Sequence, residues 1–204
     1  MKSSARSAPD AALSDVALTR KEIKEAAKRL IAVHGYGATT MRQIARKVSM
    51  KGGSLYYHFR GKEEILFAIL DEGNRLLLDA ADAVAKATAT DASSRLKHLI
   101  REHIRILAED PAQFMVVSRE LNRLKGERRQ RIMAQRDEYE TAIQAILHKG
   151  VAEGSFRSVN VKVVSYGIIA FLNGVAFWYK PGGRLSIERI ADEYCDVILK
   201  GLCR

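Results

Sequence analysis

The stretch Thr40–Lys62, TMRQIARKVSMKGGSLYYHFRGK, decides the fold of this chain, because it predicts two short helices joined by a turn. Thr40 and Gln43 have the spacing of a capping box at the start of the first helix. Apolar residues then recur with helical spacing at Met41, Ile44, Ala45 and Val48. This half of the stretch is therefore predicted to be a short helix with one buried face.

The second half predicts another short helix that begins at a glycine pair and buries Leu55 and Phe59, which stand one turn apart. Its outward face offers hydroxyls, an imidazole and bare backbone, which suit the phosphate-lined groove of DNA. We therefore predict a DNA-reading helix-turn-helix over residues 40–59. The expected contacts come from Thr40, Arg42, Lys51, Gly52, Gly53, Ser54, Tyr56, Tyr57, His58 and Lys62.

Two simpler interpretations compete with DNA reading: paired tyrosines on a helix are often half-buried core residues, and a glycine pair can mark a loop. The distribution of charge favours DNA. Residues 1–62 hold 13 basic and 4 acidic residues, whereas residues 63–204 hold 21 basic and 20 acidic residues. Nearly all of the net charge of +10 thus lies on the first third of the chain, as expected of a nucleic-acid-binding module joined to a second domain without excess charge.

Residues 23–66, within the pieces RKEIKEAAKRLIAVHGYGATTMRQIA and GSLYYHFRGKEEIL, resemble the DNA-binding domain of the tetracycline-repressor (TetR) family of bacterial transcription regulators. Five features recur together: a first helix ending in Gly-Tyr-Gly, a Thr-capped second helix, Gly-Ser-Leu-Tyr-Tyr-His-Phe, a short spacer, and Lys-Glu-Glu opening a long helix. One departure is Ser49, which stands where the family usually has glycine in the tight turn, so the turn geometry is open. The resemblance implies that Lys62 reaches a DNA phosphate.

Composition and breaks in the pattern predict an all-α protein of about nine helices. Residues 1–18 have little apolar content and are expected to form a flexible basic tail, followed by the DNA-binding domain at 19–78 and a ligand-binding and dimerisation domain at 79–204. After the three short helices of the first domain, we expect helices near 64–87, 92–109, 112–124, 127–152, 161–179 and 186–202.

The segment Val161–Tyr179, VKVVSYGIIAFLNGVAFWY, is apolar almost all the way round and is expected to be buried on every side. A membrane span is a conceivable alternative, but the polar Ser165 and Asn173 argue against it, so no membrane partner is predicted. By the resemblance, this helix and the last one form a four-helix bundle between two copies of the chain. The predicted interface residues are Gly167, Ala170, Gly174, Ile190, Tyr194 and Val197.

The second domain is expected to enclose a small apolar effector that changes the spacing of the two DNA-reading helices. The candidate lining residues are Phe114, Met115, Val117, Leu121, Tyr139, Ile143, Phe171 and Trp178, each of which could instead be ordinary helical core. The arginine-rich segment Arg119–Arg136 could hold the phosphates of an acyl-CoA or be a solvated face. The FWYKPGG segment resembles family members that respond to acyl-CoA thioesters; the alternative is an aromatic, drug-like or steroid-like ligand.

Catalysis finds little support in the sequence. His98 and Glu102 share a helix face, but no third ligand or nucleophile joins them by spacing, so no metal, cofactor or enzymatic activity is predicted. With only two cysteines and no apolar leader, the chain is expected in the cytoplasm. The leading hypothesis is a ligand-released repressor; the alternatives are a DNA-binding dimer without a ligand and, less favoured, an enzyme with an attached DNA-binding head.

Overall fold

The computed structural model describes residues 8–87 and 91–203, and the side chains of residues 19–87 and 91–203. Within these ranges the chain forms nine α-helices and no strand, which confirms the predicted all-α class. The helices are α1 (Ala8–Ala38), α2 (Met41–Lys47), α3 (Gly52–His58), α4 (Lys62–Lys86), α5 (Ala92–Glu109), α6 (Pro111–Arg119), α7 (Gly126–Ala152), α8 (Val161–Trp178) and α9 (Ile187–Leu202).

Helix α1 differs from its prediction at the N-terminal end. It begins at Ala8, so residues 8–18 are helical where a tail was predicted, and residues 1–7 of that tail lie outside the described residues. The segment lacks an amphipathic period but is rich in alanine, the best helix former, and propensity rather than pattern explains the extension. Near its other end α1 kinks at Gly35, whose φ of 79° is in the left-handed region that glycine tolerates.

The helix predicted at 112–124 is shorter in the structure, because α6 ends at Arg119 and a 3-10 turn follows at Leu121–Arg123. A tertiary contact accounts for the early end. The Glu120 carboxylate accepts a hydrogen bond from the backbone N–H of Tyr36, at 3.1 Å, and thereby ties this corner to the end of α1. Such a contact cannot be predicted from the periodicity of the sequence.

Two apolar clusters form the interior, and α4 contributes to both. The first joins α1, α2, α3 and the start of α4, and it also takes in Val116, Leu124 and Ile132 from the second half of the chain. The second cluster is built from α5, α7, α8, α9 and the end of α4. Helix α4 runs unbroken across the domain boundary predicted at residue 78, so a single helix contributes to both clusters.

Helix α8 is buried on one side only within the protomer, and burial of its other side by a partner subunit stays a prediction. The buried side is formed by Val161, Ser165, Ile168, Leu172 and Val175. The rest of the helix surface exposes the large apolar side chains of Val163, Tyr166, Phe171, Phe177 and Trp178, of which Tyr166 and Phe177 border a cavity. In the described ranges, α8 is also the one helix long and apolar enough to cross a membrane by length and composition. An apolar face of this size on a folded domain marks an interaction surface.

Candidate nucleic-acid interface and effector cavity

The start of α2 has the predicted capping box. The Thr40 hydroxyl accepts a hydrogen bond from the Gln43 backbone N–H at 3.2 Å, and the Gln43 side chain accepts one from the Thr40 backbone N–H at 2.8 Å. Two otherwise unpaired donors of the first turn are thereby satisfied. Ile44 and Ala45 are buried, so the inward face of α2 is as predicted.

The turn between α2 and α3 places Ser49 in the left-handed region, with φ of 55°. Among the described residues, Ser49 is the one non-glycine with positive φ. The flanking bond from the Met50 N–H to the Ala45 carbonyl, at 2.9 Å, fixes the turn. The chain therefore keeps the glycine-type geometry with serine in place, at a steric cost of roughly 1–2 kcal/mol.

Replacing Ser49 by glycine is expected to raise the free energy of unfolding by about 0.5 to 1 kcal/mol, because relief of the strained φ exceeds the added entropy of the unfolded chain. Urea denaturation followed by circular dichroism measures the change. Ser54→Gly, inside α3, is the matched control and should lower stability by about 0.5 kcal/mol, since glycine weakens a helix interior. Equal destabilisation by both substitutions would show that the turn is not strained.

Helix α3 presents the predicted outward face. Leu55 and Phe59 are buried, whereas the side chains of Tyr56 and Tyr57 are 56% and 80% exposed, so neither tyrosine belongs to the core. A Cβ atom added at Gly52 or Gly53 would meet nothing within 4 Å. The fold itself thus makes no steric demand for glycine at the start of α3, which leaves close approach of an external backbone or base as a physical reason for both.

Arg20 of α1 holds the end of α3 in place, a role that the sequence did not reveal. Its guanidinium donates to the His58 carbonyl, pairs with Glu64 at 3.3 Å, and lies 4.0 Å above the ring of Phe59. His58 is only partly exposed, and its buried Nδ1 has no hydrogen-bond partner among the described residues. Helix α3 is therefore oriented by contacts on its inner side.

Lys62 has contacts within the fold that the sequence did not reveal. Its ammonium donates to the carbonyls of Tyr36 and Thr39, at 2.5 and 2.6 Å, and lies 4.1 Å above the Tyr36 ring. Burial lowers the pKa of this amine below its ordinary value. Two of its three N–H groups thus join the end of α1 to the start of α4, and the third remains for a phosphate, so the predicted DNA contact of Lys62 stays a prediction. The remaining predicted DNA contacts, Thr40, Arg42, Lys51 and Ser54, are exposed and stay predictions.

A cavity of about 490 Å³ lies between α4, α5, α6, α7 and α8. This volume is within the range of sites for drug-sized ligands. Three of the predicted residues, Phe114, Val117 and Tyr139, line it, and their contact with an effector stays a prediction. The other lining residues are Asn74, Leu77, His103, Ser118, Met133, Gln135, Arg136, Asp137, Glu140, Tyr166, Ile169, Asn173 and Phe177.

Five predicted lining residues do not line this cavity. Ile143 is fully buried in the second apolar cluster, and Leu121 packs against the first cluster. The Phe171 ring stacks on Tyr194 at 4.1 Å, on the exposed side of α8. Met115 and Trp178 also lie outside the wall. The sequence shows that these residues are apolar. It does not show the direction in which each side chain points, because the neighbouring helices fix that direction.

The cavity wall contains a buried polar network that the sequence did not reveal. One ring nitrogen of His103, Nδ1, lies 2.8 Å from the Tyr139 hydroxyl, and the other, Nε2, lies 3.2 Å from Oδ1 of Asn173. Burial lowers the pKa of His103 to about 4, so its ring is neutral at pH 7. Tyr139 and Asn173 are 36 and 70 positions from His103 along the chain, so no local sequence pattern connects the three residues.

His103 should make folding stability depend on pH. The unfolded chain takes up a proton at this ring below pH 6.5, whereas the folded chain does so only near pH 4. The contribution of the neutral ring is therefore complete above pH 6.5 and is lost as the pH falls toward 4, by about 3 kcal/mol in total. In urea denaturation between pH 7 and 4, the free energy of unfolding should fall less for His103→Gln than for the control His98→Gln, which replaces an exposed histidine. Parallel curves would contradict the buried neutral ring.

Arg136 is the one cation of the cavity wall, and no carboxylate of the described residues pairs with it. One of its N–H groups donates to the Val117 carbonyl at 2.7 Å, burial lowers its pKa, and no ion pair involves it in the described ranges. Three arginines of the predicted arginine-rich segment form ion pairs: Arg123 pairs with Glu120, Arg128 with Glu63, and Arg131 with Asp71. Arg119 lies 5.5 Å above the ring of Phe177, which lines the cavity.

The predicted dimer residues fall into two groups. Gly167, Ala170 and Val197 are exposed in the protomer, and Gly174 and Tyr194 are partly exposed. Ile190 is only 2% exposed and packs in the second apolar cluster of its own chain, so its assignment to an interface is wrong. The α9 stripe that contains it faces α5 and leaves no contact surface at this residue.

Comparison with known proteins decides the family. Residues 23–69 match the bacterial regulatory proteins of the tetR family, and residues 89–202 match the tetracyclin repressor-like C-terminal domain. The chain belongs to the TetR family. Members of this family are DNA-binding transcription regulators, so the chain is a regulator and not an enzyme.

Among its relatives is the HTH-type transcriptional repressor KstR2 of Mycolicibacterium smegmatis, 32% identical over 198 residues, which covers 96% of this chain and 95% of that protein. The fatty acid metabolism regulator protein of Bacillus subtilis is 24% identical and matches 89% of this chain and 94% of its own length. The solved structure of AibR in complex with isovaleryl coenzyme A and operator DNA has a TM-score of 0.80 and 28% identity; the match covers 87% of this chain and 96% of that one.

Proposed function

We propose that this TetR-family protein is a homodimeric repressor that is released from its operator when an acyl-CoA thioester enters the cavity. The observation that carries the proposal is a ligand-sized cavity with aromatic and aliphatic walls and one cation, Arg136, without a carboxylate partner. Relatives named as repressors, and a relative solved with a CoA thioester, support it. Since its target is chromosomal DNA, the protein would work in the cytoplasm of the bacterium.

The wall suits a molecule with one apolar and one anionic end. Phe114, Leu77 and Ile169 offer apolar surface for an acyl group, and burying it is worth about 25 cal/mol per Å². Arg136 can donate the N–H groups it does not share with Val117 to a phosphate or thioester oxygen, and Arg119 stands beside the exposed ring of Phe177. The charged phosphates of the CoA at the opening and an acyl group inside satisfy both parts of the wall.

The exposed side of α8 supports the dimer. Large apolar residues there, including Val163 and the stacked Phe171–Tyr194 pair, have no cover in the protomer. Small residues at Gly167 and Gly174 leave open space beside them, which permits close approach of a partner helix. A twofold pair held through this side would present two α3 helices to successive major grooves of a near-palindromic operator.

Helix α4 supports the coupling between the two sites. It begins directly after α3 and places Asn74 and Leu77 in the cavity wall. Contact between α4 and α6 is close, since a Cβ on Gly73 would lie 2.7 Å from Cγ2 of Val117. An effector that pushes on α6 therefore pushes on α4, and a ligand with different affinity for two α4 positions would change operator affinity.

A direct test is titration of acyl-CoA thioesters and their free acids against the protein bound to a fluorescent operator selected from random duplexes. Thioesters should release the DNA, and Arg136→Met should weaken release by about 10-fold or more, as expected for loss of one charge-assisted contact. Arg184→Met, in the exposed loop before α9, is the control and should respond like the unmodified protein. If no thioester releases DNA or binds the free protein, the acyl-CoA assignment is wrong.

A further inference from the structure

The buried part of the cavity wall carries uncharged polar groups beside apolar ones. His103 and Tyr139 are 1% and 5% exposed, as deeply buried as the apolar Phe114 and Val117, whereas Tyr166 and Phe177 are exposed. Asn173 is partly exposed and contacts His103, so it joins the buried polar groups to the more open part of the wall. A ligand in contact with Asn173 therefore meets hydrogen-bonding groups rather than a uniformly apolar wall.

With Oδ1 of Asn173 placed toward His103, the hydrogen bonds of the network have one direction. A neutral imidazole has one N–H, and Oδ1 of Asn173 can only accept, so Nε2 of His103 is the donor to Asn173. Nδ1 then accepts the hydroxyl proton of Tyr139. With its oxygen held by His103, Asn173 keeps its amide N–H groups, which have no hydrogen-bond partner in the described ranges. Asn173 lines the cavity as a donor.

A second amide lines the cavity from α4. Asn74 is 5% exposed, and its one contact, from Nδ2 to Oε1 of Gln135, is long at 3.5 Å. Its carbonyl oxygen has no partner among the described residues. Among the described residues, the free amide atoms of Asn74 and Asn173 are not sealed in the packing, and both residues line the cavity, so a ligand there can reach them. The wall therefore keeps both a donor and an acceptor for a neutral polar group.

We propose that the apolar body of the effector carries a neutral oxygen, a ketone or a hydroxyl, which accepts a hydrogen bond from Asn173 when the effector is bound. This inference rests on the proposed function, because it assigns the acyl group of the same thioester. It makes Asn173 a specificity-determining residue, oriented by His103 and Tyr139. A hydroxyl could also donate to Asn74, whereas a ketone uses Asn173 alone.

A carboxylate is a poor occupant of this position. The ring of His103 stays neutral down to about pH 4 because burial lowers its pKa, so it supplies no positive charge. Asp137 and Glu140 also line the cavity, so its wall holds two carboxylates against the one guanidinium of Arg136, and an anion without its own contact to Arg136 would be repelled. A plain saturated acyl group fits the space but leaves the Asn173 N–H groups desolvated and unpaired. Such a ligand should bind about 10- to 100-fold more weakly than its oxygen-bearing counterpart.

The test compares two thioesters that differ at one position, 4-oxocyclohexanecarboxyl-CoA and cyclohexanecarboxyl-CoA, by calorimetric titration of the free dimer. The oxo compound should bind more tightly by the stated factor. Asn173→Leu should abolish the preference by weakening the oxo compound and not the saturated one. Asn122→Leu, in the exposed 3-10 turn, is the matched control and should keep the preference. Circular dichroism and thermal melting confirm that each variant is folded.

The outcomes separate this inference from the proposed function. Equal binding of the two thioesters by the unmodified protein overturns the oxygen assignment and leaves the acyl-CoA effector standing, and this result needs no variant. A preference that survives in Asn173→Leu overturns the role of Asn173. Failure of both compounds, and of every other thioester, to bind or to release DNA overturns the proposed function together with the inference.

Discussion

Replacing Gly174 by glutamate is expected to convert the dimer into monomers and to weaken operator binding by at least about 100-fold, the usual loss when bivalent contact becomes monovalent. In the protomer, a Cβ at Gly174 would meet no atom within 4 Å, so the fold itself has room for the side chain. A twofold interface would place two carboxylates on an apolar surface, and each buried unpaired charge costs several kcal/mol.

Sedimentation equilibrium measures the state of association, and fluorescence anisotropy measures the affinity for operator DNA. Ala134→Glu adds the same charge to the exposed side of α7 and serves as the control, which should stay dimeric. Unchanged circular dichroism is expected for both variants. A soluble dimer of Gly174→Glu with ordinary operator affinity would move the interface away from α8.

Replacing Tyr57 by alanine is expected to lower operator affinity by about 1–3 kcal/mol for each half-site, and so by about 2–6 kcal/mol for a dimer on a palindrome. The side chain is 80% exposed on the face opposite Leu55 and Phe59, and its ring makes an edge contact with His58 alone among the described rings. Folding should change by no more than about 0.5 kcal/mol, as usual for surface substitutions.

Val33→Ala, at an exposed apolar position on α1, is the control for Tyr57→Ala and should leave both DNA binding and stability as they were. Operator affinity is measured by anisotropy at fixed salt, and stability by urea denaturation. Loss of stability in Tyr57→Ala that matches its loss of DNA binding would place the tyrosine in the structural core instead of the groove.

Local features of the DNA-reading domain could be predicted because they depend on neighbours in the chain. The capping box at Thr40 and the buried pair Leu55 and Phe59 follow from spacing alone. The roles of Arg20 and Lys62 could not, since they depend on carbonyls and rings 23 or more residues away. Both are long cationic side chains, and the residue type alone indicates their positive charge but not the groups that they contact.

The residues that line the cavity could be predicted only in part from the sequence. Apolar character predicted a set of aromatic and aliphatic candidates, but Phe171 and Trp178 lie outside the cavity wall while Phe177, the neighbour of Trp178 in the chain, lines it. Three aromatic residues on neighbouring turns of one helix face different surroundings. The assignment of Ile190 to the dimer interface was wrong for the same reason. An apolar stripe that packs on its own domain has the same composition as one that packs on a partner subunit.

The central claim is that effector and operator oppose each other, and the most direct measurement compares the affinity of an acyl-CoA thioester for the free dimer and for the dimer saturated with operator. Because coupling between two binding sites is reciprocal, operator DNA should weaken thioester binding by the same factor by which the thioester weakens operator binding. The common factor is expected to be well above one, at about 5- to 150-fold. Equal thioester affinities with and without DNA, or tighter binding in the DNA complex, would contradict it.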